Sequence, residues 1–230
     1  MPELRPGAPA LVIAGGPSVA EDLVTRLVRG DGRFLLCTDG GAAVALRLGL
    51  APDLVLGDFD SLSAEDQARL SDLGCPVLRY PIEKDETDSE LALDYLLARH
   101  AGPVILTGAL GGRFDHSLAN LMLLPRFADR GLEVVIDDGG TRAFLVSPGR
   151  PGVVAGDPGD LVSLFPDTPT CVGVTLEGLK YPLTAATLVR GATLGVSNEL
   201  LDRTARISLS EGRLFVVVIR RDAEGASGRP

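Results

Sequence analysis

Short apolar runs recur along the first 137 residues, and most of them are followed by a stretch that can form a helix. This alternation predicts parallel strands joined by crossover helices. Because the runs lack polar alternation, both faces of the sheet are expected to be covered, as in doubly wound α/β folds. The runs are ALVIAGG, FLLCTDGG, DLVLGD, PVLRYP, PVILTGALGG and LEVVIDD.

The segment SELALDYLLARH predicts a helix with a defined start. Thr87 and Glu90 form the capping-box pattern, in which a Ser or Thr is followed three residues later by Glu or Gln. Along this helix, Leu91, Tyr95 and Ala98 are expected to share the inner face. The strands that precede such helices end at one edge of the sheet, where ligands of α/β folds bind.

Beyond about residue 140 the pattern changes, since SPGRPG and GDPGD predict turns and no long amphipathic helix follows. Just before this change, Pro125 is expected to kink a helix that begins near His116, or to end it around Leu124. The later apolar segments predict an antiparallel β-sandwich or partial barrel. These segments are LVSLFP, TCVGVTLEG, ATLGVSN, ARISLS and RLFVVVIR.

Two domains follow from this change of pattern. Residues 1–145 are expected to form an α/β domain with a doubly wound, mostly parallel sheet and helices on both faces. Residues 146–222 are expected to form an antiparallel β-sandwich, and residues 223–230 a frayed tail.

Carboxylates are concentrated in one part of the chain. Residues 39–90 hold twelve Asp or Glu against four Lys or Arg, which accounts for most of the net charge of −9. A divalent cation is the simplest way to neutralise such a cluster, and Mg²⁺ is favoured because every candidate ligand is a hard oxygen. Magnesium in turn indicates a phosphate-bearing substrate. The aspartates are Asp39 in DGG, Asp58 and Asp60 in GDFDS, and Asp85 and Asp88 in KDETD.

Two further motifs follow predicted strands and precede predicted helices, where backbone amides accept anions: DGG at residues 39–41 and GALGGRFDH at residues 108–116. Arg113 is able to pair with a phosphate. Asp115 either caps the following helix or holds a ribose hydroxyl. Lys84 either reaches a phosphate as a point charge or forms a surface ion pair worth about 0–1 kcal/mol.

Composition excludes several other classes. A net charge of −9 and a pI near 4.7 argue against a general nucleic-acid binder, which carries a basic patch. The three cysteines are far apart, which supports neither a disulfide framework nor a zinc site and favours a reducing compartment. No signal peptide and no apolar run of about 20 residues is present, so a cytoplasmic protein that spans no membrane is expected.

Taken in order, DGGAAVALRLGLAPDLVLGDFDS, KDETDSELAL, TGALGGRFDHSLANL, LKYPL and GVSNE resemble the thiamine pyrophosphokinase (thiamine diphosphokinase) family over about residues 10–220. The resemblance implies a homodimer that transfers the pyrophosphoryl group of ATP to the hydroxyl of thiamine, giving thiamine diphosphate and AMP. It implies that Asp58, Asp60 and Asp88 bind Mg²⁺ and the triphosphate and act in catalysis. The implied nucleotide-binding residues are Asp39, Gly40, Gly41, Lys84, Asp85, Gly111, Gly112, Arg113 and Asp115, and the thiamine-binding residues are Ser197 and Asn198.

One departure and three alternatives accompany this resemblance. The chain has no Trp, whereas some members of the family place an indole against thiamine, so another side chain takes that place or the stacking is absent. The acceptor alcohol could instead be a hydroxymethylpterin. Asp58 could instead be the nucleophile of a phosphatase, although its motif follows the third predicted strand. A non-catalytic nucleotide sensor is the third alternative.

Overall fold

The computed structural model describes residues 4–221, except for the side chain of residue 31. The chain divides into two compact units at the bond between Gly139 and Gly140. The expected frayed tail, residues 223–230, lies outside the described residues. None of the helices in residues 4–221 has the length and apolar character needed to cross a bilayer.

The first unit is an α/β domain, and its strands are joined by helices as the apolar runs predict. Its strands are β1 (Ala10–Ile13), β2 (Phe34–Thr38), β3 (Leu54–Gly57), β4 (Val77–Arg79), β5 (Val104–Thr107) and β6 (Val134–Asp137). Its helices are α1 (Glu21–Asp31), α2 (Asp39–Arg47), α3 (Ala64–Asp72), α4 (Asp88–Ala98) and α5 (Phe114–Ala128).

These strands form a parallel sheet in the order β6-β5-β1-β2-β3-β4. The chain runs outward from β1 to β4 and then returns to the other side of β1 with β5. This reversal is the topological switch point at which open α/β sheets bind their ligands, outside the carboxyl ends of the strands.

Helices cover both faces of the central strands, which explains the near-continuous apolar runs. On one face Leu11, Leu35 and Val55 pack with residues of α1, α2 and α3. On the other face Phe34 lies 6.5 Å from the ring of Tyr95 in α4. Every residue of β1, β2 and β3 is buried. The expected doubly wound architecture is thus confirmed.

Helices α4 and α5 confirm one prediction and contradict two others in part. The Thr87 hydroxyl accepts the N–H of Glu90 at 3.3 Å and so caps α4. The inner face of α4 was predicted only in part: Tyr95 is buried as expected, but Ala98 is exposed, and the other buried apolar residues are Ala92, Leu93 and Leu96. Of the two outcomes expected at Pro125, an end near residue 124 is wrong, because helix α5 continues past Pro125 to Ala128, with Pro125 itself buried.

The second unit consists of two antiparallel sheets, ordered β12-β9-β14-β7 and β11-β10-β13-β8. The predicted strand ATLGVSN is wrong, since most of it forms turns, with Gly195 and Ser197 at positive φ. The strands are β7 (Thr141–Val146), β8 (Gly152–Ala155), β9 (Leu161–Pro166), β10 (Thr170–Glu177), β11 (Leu183–Val189), β12 (Asn198–Glu199), β13 (Thr204–Ser208) and β14 (Leu214–Ile219).

Candidate active site

A cavity of about 480 Å³ opens at the carboxyl ends of β1, β2, β3 and β5 in the first unit. Its volume lies within the range of about 300–1,000 Å³ that is usual for small-molecule sites. It is lined by the turn after β1, the start of α2, the turn after β3, the start of α4 and the glycine-rich loop after β5. The cavity therefore occupies the switch point of the parallel sheet.

A strained turn at residues 58–60 carries the acidic wall of the site: Asp58 lines the cavity, whereas Asp60 is exposed and is not among the lining residues. Phe59 has a φ of 68°, a left-handed conformation that few residues other than glycine adopt. Its ring is buried, with the guanidinium of Arg79 4.3 Å from the ring centroid. Its N–H donates to the buried carboxylate of Asp39 at 3.2 Å. These contacts hold the residue between two aspartates in one conformation.

Three of the predicted carboxylates converge on this wall. One oxygen each from Asp39, Asp58 and Asp60 lies within 4.8 Å of the others. The N–H of Asp60 donates to Asp58 at 3.1 Å and lowers the pKa of Asp58. The negative charge of Asp58 raises the pKa of Asp60. The repulsion between the two carboxylates therefore appears mainly as the raised pKa of Asp60, as expected when two close carboxylates titrate together.

Lys84 connects this cluster to Asp88. Its ammonium nitrogen lies 2.7 Å from Asp88 Oδ1 and 3.7 Å from Asp58 Oδ2. Burial by itself would lower the pKa of Lys84, but the carboxylates of Asp88 and Asp58 outweigh it and the pKa is raised. Lys84 and Asp88 thus form an ion pair, and both residues line the cavity.

The loop after β5 provides the opposite wall. Gly111 and Gly112 have φ of 80° and 62°, so the chain turns sharply there before α5 begins. Arg113 pairs with Asp115 through both carboxylate oxygens and lowers the pKa of Asp115 to about 2. The expected cap is wrong, because Arg113 occupies the N-cap position and Asp115 lies in the first turn. The first amides of a helix have no partners within the helix and favour anions.

The remaining predicted residues lie partly outside the cavity. Asp85 is exposed and is not among the residues that line the cavity. Gly40 lines the cavity, whereas Gly41 packs α2 against β1. In the second unit, the N–H of Ser197 donates to Ser163 at 3.0 Å. The amide of Asn198 bonds the N–H and C=O of Tyr181 at 2.9 and 2.8 Å.

Sequence reasoning missed a group of side chains behind the glycine-rich loop: Ser18, Asn120 and Asp138. Asn120 and Ser18 contact carbonyls of this loop, and Asp138 accepts three of its N–H groups. Asp138 directly follows the apolar run VVID, and this position at a strand end was the only available signal.

Comparisons with known proteins match both units. The family model described as "Thiamin pyrophosphokinase, catalytic domain" matches residues 27–136. The family model described as "Thiamin pyrophosphokinase, vitamin B1 binding domain" matches residues 154–214. The solved thiamin pyrophosphokinase of Geobacillus thermodenitrificans is 34% identical, covers 94% of this chain and 99% of its own, and superposes with a TM-score of 0.79. The chain belongs to the thiamin pyrophosphokinase family.

Further relatives agree with this assignment. The thiamine pyrophosphokinase of Bacillus subtilis (strain 168) is 29% identical over 90% of this chain and 96% of its own length. A crystal structure of the thiamine pyrophosphokinase from Bacillus subtilis superposes with a TM-score of 0.82, at 27% identity over 92% of this chain and 99% of its own. Membership of this family makes the protein an ATP-dependent pyrophosphotransferase, as the sequence resemblance implied. These matches support neither the pterin nor the phosphatase alternative.

Proposed function

We propose that the protein transfers the pyrophosphoryl group of ATP to the primary hydroxyl of thiamine, giving thiamine diphosphate and AMP. The observation that carries the proposal is the pairing of two walls in one cavity: carboxylates with Lys84 on one side and a glycine-rich loop at a helix N-terminus on the other. A nucleoside triphosphate with a divalent cation matches both walls in charge.

The donor set of the acidic wall fits Mg²⁺. Carboxylate oxygens from Asp39, Asp58 and Asp60 lie close enough to share one ion, and the negative charge of Asp58 raises the pKa of Asp60. Asp88, also expected as a ligand, lies across Lys84 from Asp58 and stays part of the proposal. When bound, Mg²⁺ supplies charge neutralisation to the phosphate oxygens.

The cations and amides of the site bind the rest of the triphosphate in this proposal. Lys84 is half-buried beside two carboxylates and lines the cavity, where its ammonium group offers a point charge to a phosphate. Arg113 lies at the start of α5, where the helix amides also favour phosphate. Gly40, Gly111 and Gly112 line the cavity and allow close approach of a ligand to the backbone.

The reaction is an in-line displacement at the β-phosphorus. A bond forms between the thiamine hydroxyl oxygen and the β-phosphorus, and the bond from the β-phosphorus to the oxygen that bridges to the α-phosphorus breaks. AMP leaves with that oxygen, and the hydroxyl proton passes to a base or to solvent. The contribution of the chain is mainly positioning and charge neutralisation, as in phosphoryl transfer generally.

The second unit holds thiamine in this proposal. We assign residues 1–145 to ATP and metal binding and residues 146–222 to thiamine binding, with Ser197 and Asn198 at the thiamine end. The match of residues 154–214 to a vitamin B1 binding domain supports the assignment. Asn198 would act there by fixing the backbone of Tyr181.

The assembly and setting belong to the same proposal. We propose a cytoplasmic homodimer that binds no nucleic acid. Phe114, Leu118 and Met122 are exposed at four-residue spacing along α5, and exposed apolar faces of this kind mark interaction surfaces. All three cysteines are free, which supports the cytoplasmic setting. The net charge of −9 supports the proposal that the protein binds no nucleic acid.

One assay tests the proposed function. The purified protein is incubated with Mg²⁺, ATP and thiamine, and the products are analysed by mass spectrometry. AMP and thiamine diphosphate are expected in equal amounts. ATP that stays intact in the presence of thiamine, or AMP without thiamine diphosphate, would refute the proposal.

A further inference from the structure

The loop segment 108–110, which begins the glycine-rich wall of the cavity, is bonded through all of its backbone N–H groups to one carboxylate. The N–H of Gly108 donates to Asp138 Oδ1 at 2.7 Å, and that of Ala109 reaches the same oxygen at 3.4 Å. The N–H of Leu110 donates to Asp138 Oδ2 at 2.8 Å. Asp138 is buried, so water does not compete for these bonds.

The carbonyl groups of the same segment are bonded as well. The N–H of Gly16 donates to the first carbonyl at 3.0 Å. The side-chain amide of Asn120 donates to the second at 2.8 Å. The hydroxyl of Ser18 contacts the third and also lies 2.7 Å from Asp138 Oδ2. The segment is thus tied to the turn after β1, to α5 and to the end of β6.

We infer that Asp138 is a positioning residue of the nucleotide site, which acts through the backbone of residues 108–110. This inference rests on the proposed function. An ionised carboxylate accepts through two oxygens and carries no donor, whereas the amide of Asn, which has the same size, replaces one of these acceptors by an NH₂ donor. By taking these N–H groups, Asp138 fixes where the chain enters the turn at Gly111 and Gly112, and so where α5 begins.

The inference predicts an effect on nucleotide binding beyond any effect on stability. If the loop loses its fixed path, the groups that meet the phosphates are displaced, and displacements of about 1 Å are costly in such sites. Thiamine binding, assigned to the second unit, should be spared. A carboxylate with a purely structural role would lower stability without separating the two substrates.

The test uses Asp138→Asn, which keeps the size of the side chain but turns an N–H donor toward one of the loop donors. We expect the KM for ATP to rise about tenfold, while the KM for thiamine changes by less than about twofold. Amide hydrogen exchange of residues 108–110 should accelerate in the ligand-free protein. The control is Asp72→Asn, an exposed aspartate of α3 that does not line the cavity, which should leave both constants unchanged.

Ser18 keeps the inference testable if Asp138→Asn fails to fold. Ser18→Ala should raise the KM for ATP in the same direction, and Ser18→Thr, which keeps the hydroxyl, should restore it. An unchanged KM for ATP together with unchanged exchange in these variants would overturn the inference.

The two proposals can fail separately. If the wild type makes no thiamine diphosphate, the proposed function fails. The affinity for ATP is then measured by calorimetry instead of through the KM. Weaker ATP binding with faster loop exchange in Asp138→Asn would then still support the positioning role, whereas equal binding would overturn it. A wild type that binds no ATP overturns both.

Discussion

At the scale of single residues, the turn between β3 and α3 shows how a local conformation sets up the chemistry. Phe59 adopts a φ of 68°, a conformation that costs about 1–3 kcal/mol in a residue other than glycine. Burial of its ring and its bond to Asp39 offset this cost. The result is that Asp58 and Asp60 lie beside Asp39, although like charges repel.

Asp60→Asn should separate stability from activity. The charge of Asp58 raises the pKa of Asp60 in the metal-free protein, so removing the charge of Asp60 should raise the midpoint of thermal unfolding. Transfer activity should fall about 100-fold or more because a proposed metal ligand is lost. Asp72→Asn, an exposed aspartate of α3, is the control and should change neither quantity. Near-normal activity of Asp60→Asn would contradict the metal assignment.

The difference in stability between Asp60→Asn and the wild type should depend on pH, because the pKa of Asp60 is raised. A carboxyl whose pKa is raised above the ordinary value of 3.8 is favourable to folding while protonated, and that contribution is lost as the pH rises through the raised pKa. The stability gain of Asp60→Asn should therefore be full at neutral pH and disappear below about pH 3.8. Thermal melts of both proteins without metal, across this range, measure it. A gain that persists in acid would contradict this account.

The sequence predicts much of the site at this scale, because carboxyl ends of parallel strands meet at one edge. Asp39, Asp58 and Lys84 were expected together and line one cavity. Asp138 and Ser18 were not expected, since a single aspartate after a strand and a single serine in a turn form no recognisable pattern. Their role depends on contacts between segments 120 and 92 residues apart in the chain.

At the scale of elements, close contact between α2 and β1 brings Asp39 to the cavity. A Cβ atom placed on Gly41 would lie 1.9 Å from the carbonyl oxygen of Ile13. No side chain fits at that distance, so the helix approaches the strand only with glycine at this position. Asp39 begins the same helix, and its depth in the sheet depends on this approach.

Two glycine substitutions in helices should therefore have opposite effects. Gly41→Ala should destabilise the fold by about 1–3 kcal/mol, because the helix must move away from β1. Gly30→Ala in α1, where nothing lies within 4 Å of the added carbon, should stabilise it by about 1 kcal/mol. Chemical denaturation of both variants measures this. Equal effects of the two substitutions would show that packing at Gly41 is not limiting.

The elements of the first unit were predictable because its strands are buried on both faces and give continuous apolar runs. The strands of the second unit were harder to predict from the sequence. Strands β8 and β11 expose many of their residues and contain small side chains, so they lack a strong apolar signal. ATLGVSN has the composition of a strand, but its glycine at φ 99° and the bond from Ser197 to Ser163 direct it into turns.

At the scale of the whole molecule, family membership and the site lead to the same activity. The match extends over 94% of this chain and 99% of the Geobacillus thermodenitrificans enzyme, so both units have counterparts in that enzyme. The two-domain pattern could be predicted because the sequence changes from alternating strands and helices to short strands near residue 140. Substrate identity could not be predicted from composition and required the ordered set of motifs.

A mass measurement tests the proposed homodimer. Sedimentation equilibrium should give twice the 24.0 kDa of one chain. Leu118→Lys places a charge on the exposed apolar face of α5 and should weaken the dimer if this face is part of the interface. Glu65→Lys, on the exposed surface of α3, is the control. A wild-type mass of one chain at micromolar concentration would contradict the proposed dimer.

The central claim is that the cavity transfers two phosphoryl groups of ATP together to thiamine. ATP labelled at its β-phosphorus tests this most directly, with Mg²⁺ and thiamine present. The account predicts that the label appears in thiamine diphosphate and that the AMP released carries none. Label in ADP beside thiamine monophosphate, or no labelled thiamine product, would contradict it.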